Sequence, residues 1–142
     1  MIIKVLEEDN ITLEELLKES FHKDVEKINI KECLNKNIRF LCALNNGVVI
    51  STIMITTKYN PVRNTNSFYL DYVCTKEEYR NMGIATKLLN EVDNFAKKEN
   101  ISKIELDTSY DREPAIKLYE KLEYLKKSAY IYSKEVNLNE NI

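Results

Sequence analysis

Apolar positions along the chain change period, and the changes mark its elements. Ile84, Ala85, Leu88, Leu89, Val92, Phe95 and Ala96 recur at helical spacing and predict a helix over Ile84 to Lys98. Lys97 and Lys98 fall in its last turn, where positive charge suits the helix dipole. Ala115, Leu118, Tyr119 and Leu122 share a second helical face and predict a helix over Pro114 to Leu122. Pro114 sits in its first turn, where a missing N–H breaks no bond. Leu13, Leu16 and Leu17 follow Thr12 and Glu15, a capping-box pair, so a helix is expected from there to about Ser20. Val25, Ile28 and Ile30 predict a looser helix over about Val25 to Leu34.

Other stretches alternate with a period of two. Ile2 to Leu6 and Ile38 to Leu44 read as strands, and Val48 to Thr57 is rich in β-branched residues. Asn45-Asn46-Gly47 between the last two predicts a hairpin, because both central turn positions need positive φ. Tyr59 to Asn66 reads as a loop. Phe68 to Cys74 reads as a strand with Phe68, Leu70, Tyr72 and Cys74 on one face and Tyr69, Asp71 and Val73 on the other. Ser102 to Asp107 and Tyr130 to Val136 complete the strands, and the polar tail Asn137 to Ile142 is expected to fray.

The order β-α-α-β-β-β-α-β-α-β predicts an α/β (α+β) fold, a mixed and mostly antiparallel sheet flanked by helices. The 142 residues fit a single domain over 1–142, with no linker or internal repeat. Composition narrows the function. A net charge of −2, from 21 basic and 23 acidic side chains, gives no support to nucleic-acid or membrane-surface binding. The acidic start and the lack of a long apolar run predict a cytoplasmic protein with no signal peptide or membrane span. Three scattered cysteines (Cys33, Cys42 and Cys74) and one histidine, His22, predict neither a disulfide framework nor a metal site.

The second of the two glycines, Gly83, stands where a strand and loop, Val73 to Met82, open into the strongest helix. Unpaired N–H groups and the positive end of the dipole meet there, and a residue without a side chain leaves an anion's approach clear. Ala85 keeps the next turn narrow, and Arg80 adds a permanent cation with a fork of donors. The loop is suited to a phosphate or pyrophosphate. It lacks the P-loop pattern and the three glycines of the dinucleotide fingerprint, and a lone glycine before a helix is more often a plain turn.

Arg80-Asn81-Met82-Gly83-Ile84-Ala85 resembles the (Arg/Gln)-x-x-Gly-x-(Gly/Ala) signature of the GCN5-related N-acetyltransferases (GNAT). Tyr79 before it and Leu88-Leu89 after it are similar to that family too. Ala115 to Leu122, with Leu118-Tyr119-Glu120-Lys121, resembles the family's second motif at the right distance downstream. The resemblance implies acetyl-CoA as acyl donor, its pyrophosphate on backbone amides of Arg80, Asn81, Met82, Gly83, Ile84, Ala85 and Thr86. Pantetheine would run beside the strand ending at Val73 to Thr75, and the thioester would sit where that strand splays from Ile104 to Asp107. Two departures stand out. Arg112 replaces an asparagine the family often carries, and Leu122-Glu123-Tyr124 replaces Leu-Gly-Phe, which suggests a different turn.

Direct attack by a primary amine in a ternary complex needs an oxyanion donor, an acid and a base. By the resemblance, the N–H near Val73 is the donor and Tyr119 the acid, although alone Tyr119 reads as a core tyrosine. Asp71, two residues before Val73, is the candidate base and equally a solvated strand aspartate; a water chain ending on Glu105, Asp107 or Asp71 would serve as well. Tyr69 and Tyr72, with the stretches Asn10 to Ser20 and Tyr59 to Asn66, are expected around the acceptor. Cys74 invites a covalent route, but His22 lies in a distant helical segment and no base accompanies it. A small-molecule amine is preferred over a protein lysine or N-terminus. A non-catalytic acyl-CoA-binding module is the other class considered, and a homodimer is implied by the resemblance alone.

Overall fold

A computed structural model describes residues 1–22 and 24–138. The chain divides into two compact units, Met1–Asp107 and Thr108–Ile142. The first unit holds β1 (Ile2–Val5), α1 (Ile11–Phe21), α2 (Ile30–Asn35), β2 (Ile38–Asn45), β3 (Val48–Asn60), β4 (Thr65–Thr75), α3 (Ile84–Lys98) and β5 (Ile101–Leu106). The strands form one sheet in the order β1-β2-β3-β4-β5, antiparallel throughout except for the parallel β4–β5 pair. Asn46 (φ 51°) and Gly47 (φ 79°) turn the β2–β3 hairpin as the sequence predicts.

α1 and α2 cover one face of this sheet. Leu13, Leu16 and Leu17 of α1 are buried with Phe40, Cys42, Leu44, Val49 and Cys74. α3 covers the other face with the predicted stripe, of which Ile84, Leu88, Leu89, Val92 and Ala96 are buried. Arg39 pins that helix to β2. Its guanidinium grips Glu99 at 2.8 and 2.9 Å while lying over the rings of Phe68 and Phe95.

The cap of α1 is Asn10, not Thr12. Asn10 Oδ1 accepts from the Thr12 amide (3.0 Å) and hydroxyl (2.6 Å). Thr12 Oγ1 instead accepts from the Val49 amide (2.9 Å) and ties α1 to β3. The second predicted helix is shorter than expected. Asn29 caps it at Ile30, and Asp9 Oδ1 accepts the Ile30 amide at 2.9 Å, so 24–29 stays outside the helix. Half of the predicted loop Tyr59 to Asn66 is strand. β3 and β4 pair out to Asn60↔Thr65, and only 61–64 turn.

The strict alternation predicted for β4 fails at one place. Thr52 faces Cys74 and Met54 faces Asp71, so Tyr72 and Val73 together oppose the single residue Ile53, a β-bulge. The extra residue flips the side chains beyond it. Phe68 lies on the α3 face, under Arg39, whereas Cys74 is buried with α1, and Tyr72 packs edge-on against Phe21 of α1.

The second unit contains α4 (Glu113–Lys121), with Pro114 in its first turn as expected. The predicted strand Tyr130 to Val136 is absent: those residues are exposed and pair with no strand. An alternating apolar stretch becomes a strand only where a neighbouring backbone takes up its hydrogen bonds. The end of the tail expected to fray, residues 139–142, lies outside the described residues.

Candidate active site

The signature loop is held from below and left open above. Lys76 N donates to Ile50 O (2.7 Å), and Asn45 Nδ2 donates to the Tyr79 hydroxyl (3.0 Å), which fixes the short helical turn Glu77–Tyr79 beside the hairpin. Arg80 folds back, its Nε donating to the Thr75 carbonyl at 3.0 Å. One of its donors therefore closes the loop, while the side chain stays exposed. Thr75 is held further by Ser51, hydroxyl to hydroxyl at 2.8 Å. Asn81 (φ 62°) and Gly83 (φ 77°) adopt left-handed backbone, and α3 begins at once.

No side chain caps α3, and no acidic residue occupies its first turn. The first intrahelical bond runs from Lys87 N to Gly83 O at 3.1 Å, so the amides of Ile84, Ala85 and Thr86 precede the ladder. A Cβ built on Gly83 would meet no atom within 4 Å. Arg80, Asn81, Met82 and Gly83 are exposed, Ala85 and Thr86 half-buried, and the Ile84 side chain buried. This is a helix N-terminus with donors aimed at open space, the geometry a pyrophosphate fits.

β4 leads into that loop with one side unpaired. Its parallel ladder with β5 ends at Leu70↔Leu106, yet β4 runs on to Thr75, so 71–75, Val73 among them, have no β5 partner. The bulge falls inside this stretch. Tyr72 takes φ 50°, a left-handed value unusual for an aromatic residue, and residues held this way gather at functional sites.

Directly opposite residues share a sheet face, so Phe40, Met54 and Asp71 form one row across β2, β3 and β4. In the next row Ile38 faces Thr56, which faces Tyr69. The Tyr69 hydroxyl donates to Asp107, just past β5. Burial first, and the negative charge of Asp107 second, push the Asp71 carboxyl up, with Lys58 opposing. Tyr69 is pushed up by burial, then by its bond to Asp107, and keeps its proton. Lys58 lies over the Tyr69 ring at 4.5 Å. At the point where β4 and β5 part, Tyr69 is thus hydrogen-bonded to Asp107, and Asp71 is coupled to both through its charge.

In the second unit Tyr119 is buried on α4 and packs edge-on against Tyr124. Burial raises its pKa, and Arg112 at the N-cap of the same helix opposes the rise. Arg112 stands where the resemblance expects asparagine, and its effect is electrostatic. Glu123 takes φ 71°, the left-handed conformation that glycine adopts without strain, and Tyr124 N bonds back to Tyr119 O at 3.0 Å.

The sequence did not reveal a cavity of about 470 Å³ between α1, the 24–29 segment, α2 and the sheet. Of the residues expected around the acceptor, Leu17 of α1 and Tyr72 line this cavity, and Tyr69 and the stretch 59–66 do not. The half-exposed Cys33 lines it, whereas Cys42 and Cys74 are buried, with Cys42 pushed up to about 12 by burial. Among the described residues no group of three or more His, Cys, Asp or Glu could hold a metal ion, and no helix is long and apolar enough to cross a membrane.

Comparison with known proteins agrees with this geometry. The profile of the Acetyltransferase (GNAT) family matches residues 4–124. A probable N-acetyltransferase family 8 member 5 of Mus musculus is 28% identical over 97 residues, 68% of this chain and 43% of that protein. The chain thus spans less than half of that relative. A putative acetyltransferase from Agrobacterium tumefaciens str. C58 superposes with TM-score 0.84 at 17% identity, covering 95% of this chain and 100% of that one. An aminoglycoside acetyltransferase, meta-AAC0020, from an uncultured soil metagenomic sample superposes with TM-score 0.78 at 15% identity, covering 95% and 96%.

Proposed function

The chain belongs to the GNAT family of acetyltransferases, and from that premise we propose that it transfers acetyl from acetyl-CoA to a primary amine on a small molecule, by direct attack in a ternary complex. The observation that carries this reading is the uncapped, open N-terminus of α3 beside the unladdered end of β4. The amides of 81–86 and the exposed end of Arg80 would hold the pyrophosphate, the Arg80 amide itself donating to Glu77 O at 3.2 Å. Unpaired backbone over 71–75 would take pantetheine as an added strand. The match over 4–124 runs through both compact units, which supports reading 1–142 as a single acetyltransferase domain.

Acetyl-CoA, when bound, supplies the carbonyl carbon and the thiolate leaving group: an N–C bond forms and the C–S bond breaks. The residues of the chain manage the charge. The Val73 amide, inside the bulge, is the donor for the carbonyl oxygen. Asp71 takes the proton the amine must lose, and its raised pKa makes it a better base than an ordinary aspartate. Tyr119 keeps its proton at neutral pH and gives it to the departing sulfur. A small-molecule acceptor is supported by the likeness to meta-AAC0020 and by the cavity in the same sheet row as Asp71. The composition reading of a cytoplasmic location goes with this activity.

Calorimetry with acetyl-CoA tests the reading, with a Gly83→Glu variant beside the wild type. Binding by the wild type that the folded variant lacks supports it, and release of free thiol then identifies acceptor amines. No binding by the wild type overturns it.

A further inference from the structure

The cavity beneath α1 is built for one kind of guest. Its walls are apolar: Leu17 and Phe21 from α1, Val25 and Ile28 from the 24–29 segment, and Phe40 and Met54 from the sheet. The Tyr72 ring adds an aromatic wall edge-on to Phe21, at 5.3 Å between centroids. At about 470 Å³ it is of the size that holds one small organic molecule.

Its lining carries three carboxylates against two ammonium groups. Asp24, Glu26, Lys27, Glu32 and Lys36 line it. Lys27 is paired with Asp9 (3.9 Å) and Lys36 with Glu32 (3.2 Å). Among the described residues no cation pairs with Asp24 or Glu26, and both are exposed. Met54 of the cavity wall faces Asp71 directly across the ladder, so a further carboxylate lies beside this wall on the same sheet face.

We infer that the acceptor is an amine with one cationic head and a compact apolar body, an arylalkylamine in the simplest form, seated in this cavity. The body lies among Leu17, Phe21, Phe40 and Met54, and carboxylates draw the ammonium in toward Asp71. A polyhydroxylated polyamine fits poorly, because its hydroxyls would face apolar walls and lose their hydrogen bonds. The inference rests on the reading above that Asp71 is the base, and it goes further by choosing the substrate class. The reaction balances: the ammonium gives one proton to Asp71 before attack, the nitrogen gains the acetyl group as the C–S bond breaks, and the second proton it sheds replaces the one Tyr119 gives to the departing thiolate.

Cys33 permits a test that needs no catalysis. It lines the cavity half-exposed, while Cys42 and Cys74 are buried. Alkylation of Cys33 by iodoacetamide at mildly alkaline pH is followed by mass spectrometry without acetyl-CoA, in the presence of phenethylamine, tryptamine or kanamycin. The expected result is that an arylalkylamine at about ten times its Kd slows labelling about tenfold, and that kanamycin does not. Asp24→Asn combined with Glu26→Gln should weaken that protection. The same amines are then offered with acetyl-CoA, and the arylalkylamine should release thiol. Protection by kanamycin alone overturns the substrate class. Protection by none of the three overturns the cavity as the amine site, and protection without acetylation overturns it as the acceptor site. Failure of the acetyltransferase reading would appear separately, as absent acetyl-CoA binding with Cys33 protection still measurable.

Discussion

The two halves of the candidate site are made of different materials. The signature loop works with backbone: amides at an uncapped helix start, a glycine at φ 77°, and one arginine whose Nε is spent on closing the loop. The cavity works with side chains drawn from α1, the 24–29 segment, α2 and the sheet. A backbone site needs open space and a permitted φ, so it tolerates few residues at few positions and leaves a compact signature. A side-chain site can be assembled from any elements that face one another. On the proposed reading, the backbone half holds the donor and the side-chain half sets which acceptor fits.

The sharpest way to break this contrast is at the backbone half. Gly83→Glu puts a carboxylate and an unfavourable φ where the donor's phosphates would lie. Acetyl-CoA affinity should fall by about 100-fold or more, as several charge-assisted bonds are lost, with circular dichroism unchanged. A comparable loss from Gly83→Ala would point to φ strain rather than blockage, because a Cβ there meets only space.

Side-chain substitutions should act on turnover instead. Asp71→Asn should lower kcat by about 10²-fold or more, with little change in acetyl-CoA binding. The wild-type rate should rise with pH through the raised Asp71 pKa, because the base works only when ionised. Asp107→Asn removes a like charge that raises this pKa and keeps an acceptor for Tyr69, so the acidic limb should move to lower pH. An unmoved limb would assign the base elsewhere. Tyr119→Phe should lower kcat by about tenfold to 100-fold and leave the KM for acetyl-CoA nearly unchanged.

The smallest effect lies away from the chemistry. Glu123 holds a left-handed conformation at an exposed position. Glu123→Gly should therefore stabilise the protein by about 1 kcal/mol, seen as a raised Tm with unchanged kinetics. A fall in Tm would mean that the Glu123 side chain contributes more than its strain costs.

How far the sequence could be read follows the range of the forces involved. α3 was legible to the residue because an apolar stripe, two terminal lysines and a glycine at its start all act within the helix itself. The hairpin at Asn46-Gly47 was legible for the same reason: positive φ is a local demand. Thr12 misled because its hydroxyl serves Val49, 37 residues away, while Asn10 does the capping. Tyr130 to Val136 alternates like a strand, but a strand exists only with a partner, and no partner is written in its own sequence.

By itself, then, the sequence determined the glycine-opened loop before α3, the family and the order of elements up to α4. The tertiary structure alone decided the bulge at Tyr72–Val73, which turns Tyr72 and Cys74 toward α1 and opens β4 beyond Leu70. It also decided the cavity and the coupling of Asp71 to Tyr69 and Asp107. The physical reason is that φ preferences, caps and helix dipoles belong to neighbours along the chain. A register shift, a cavity and a pKa belong to neighbours in space.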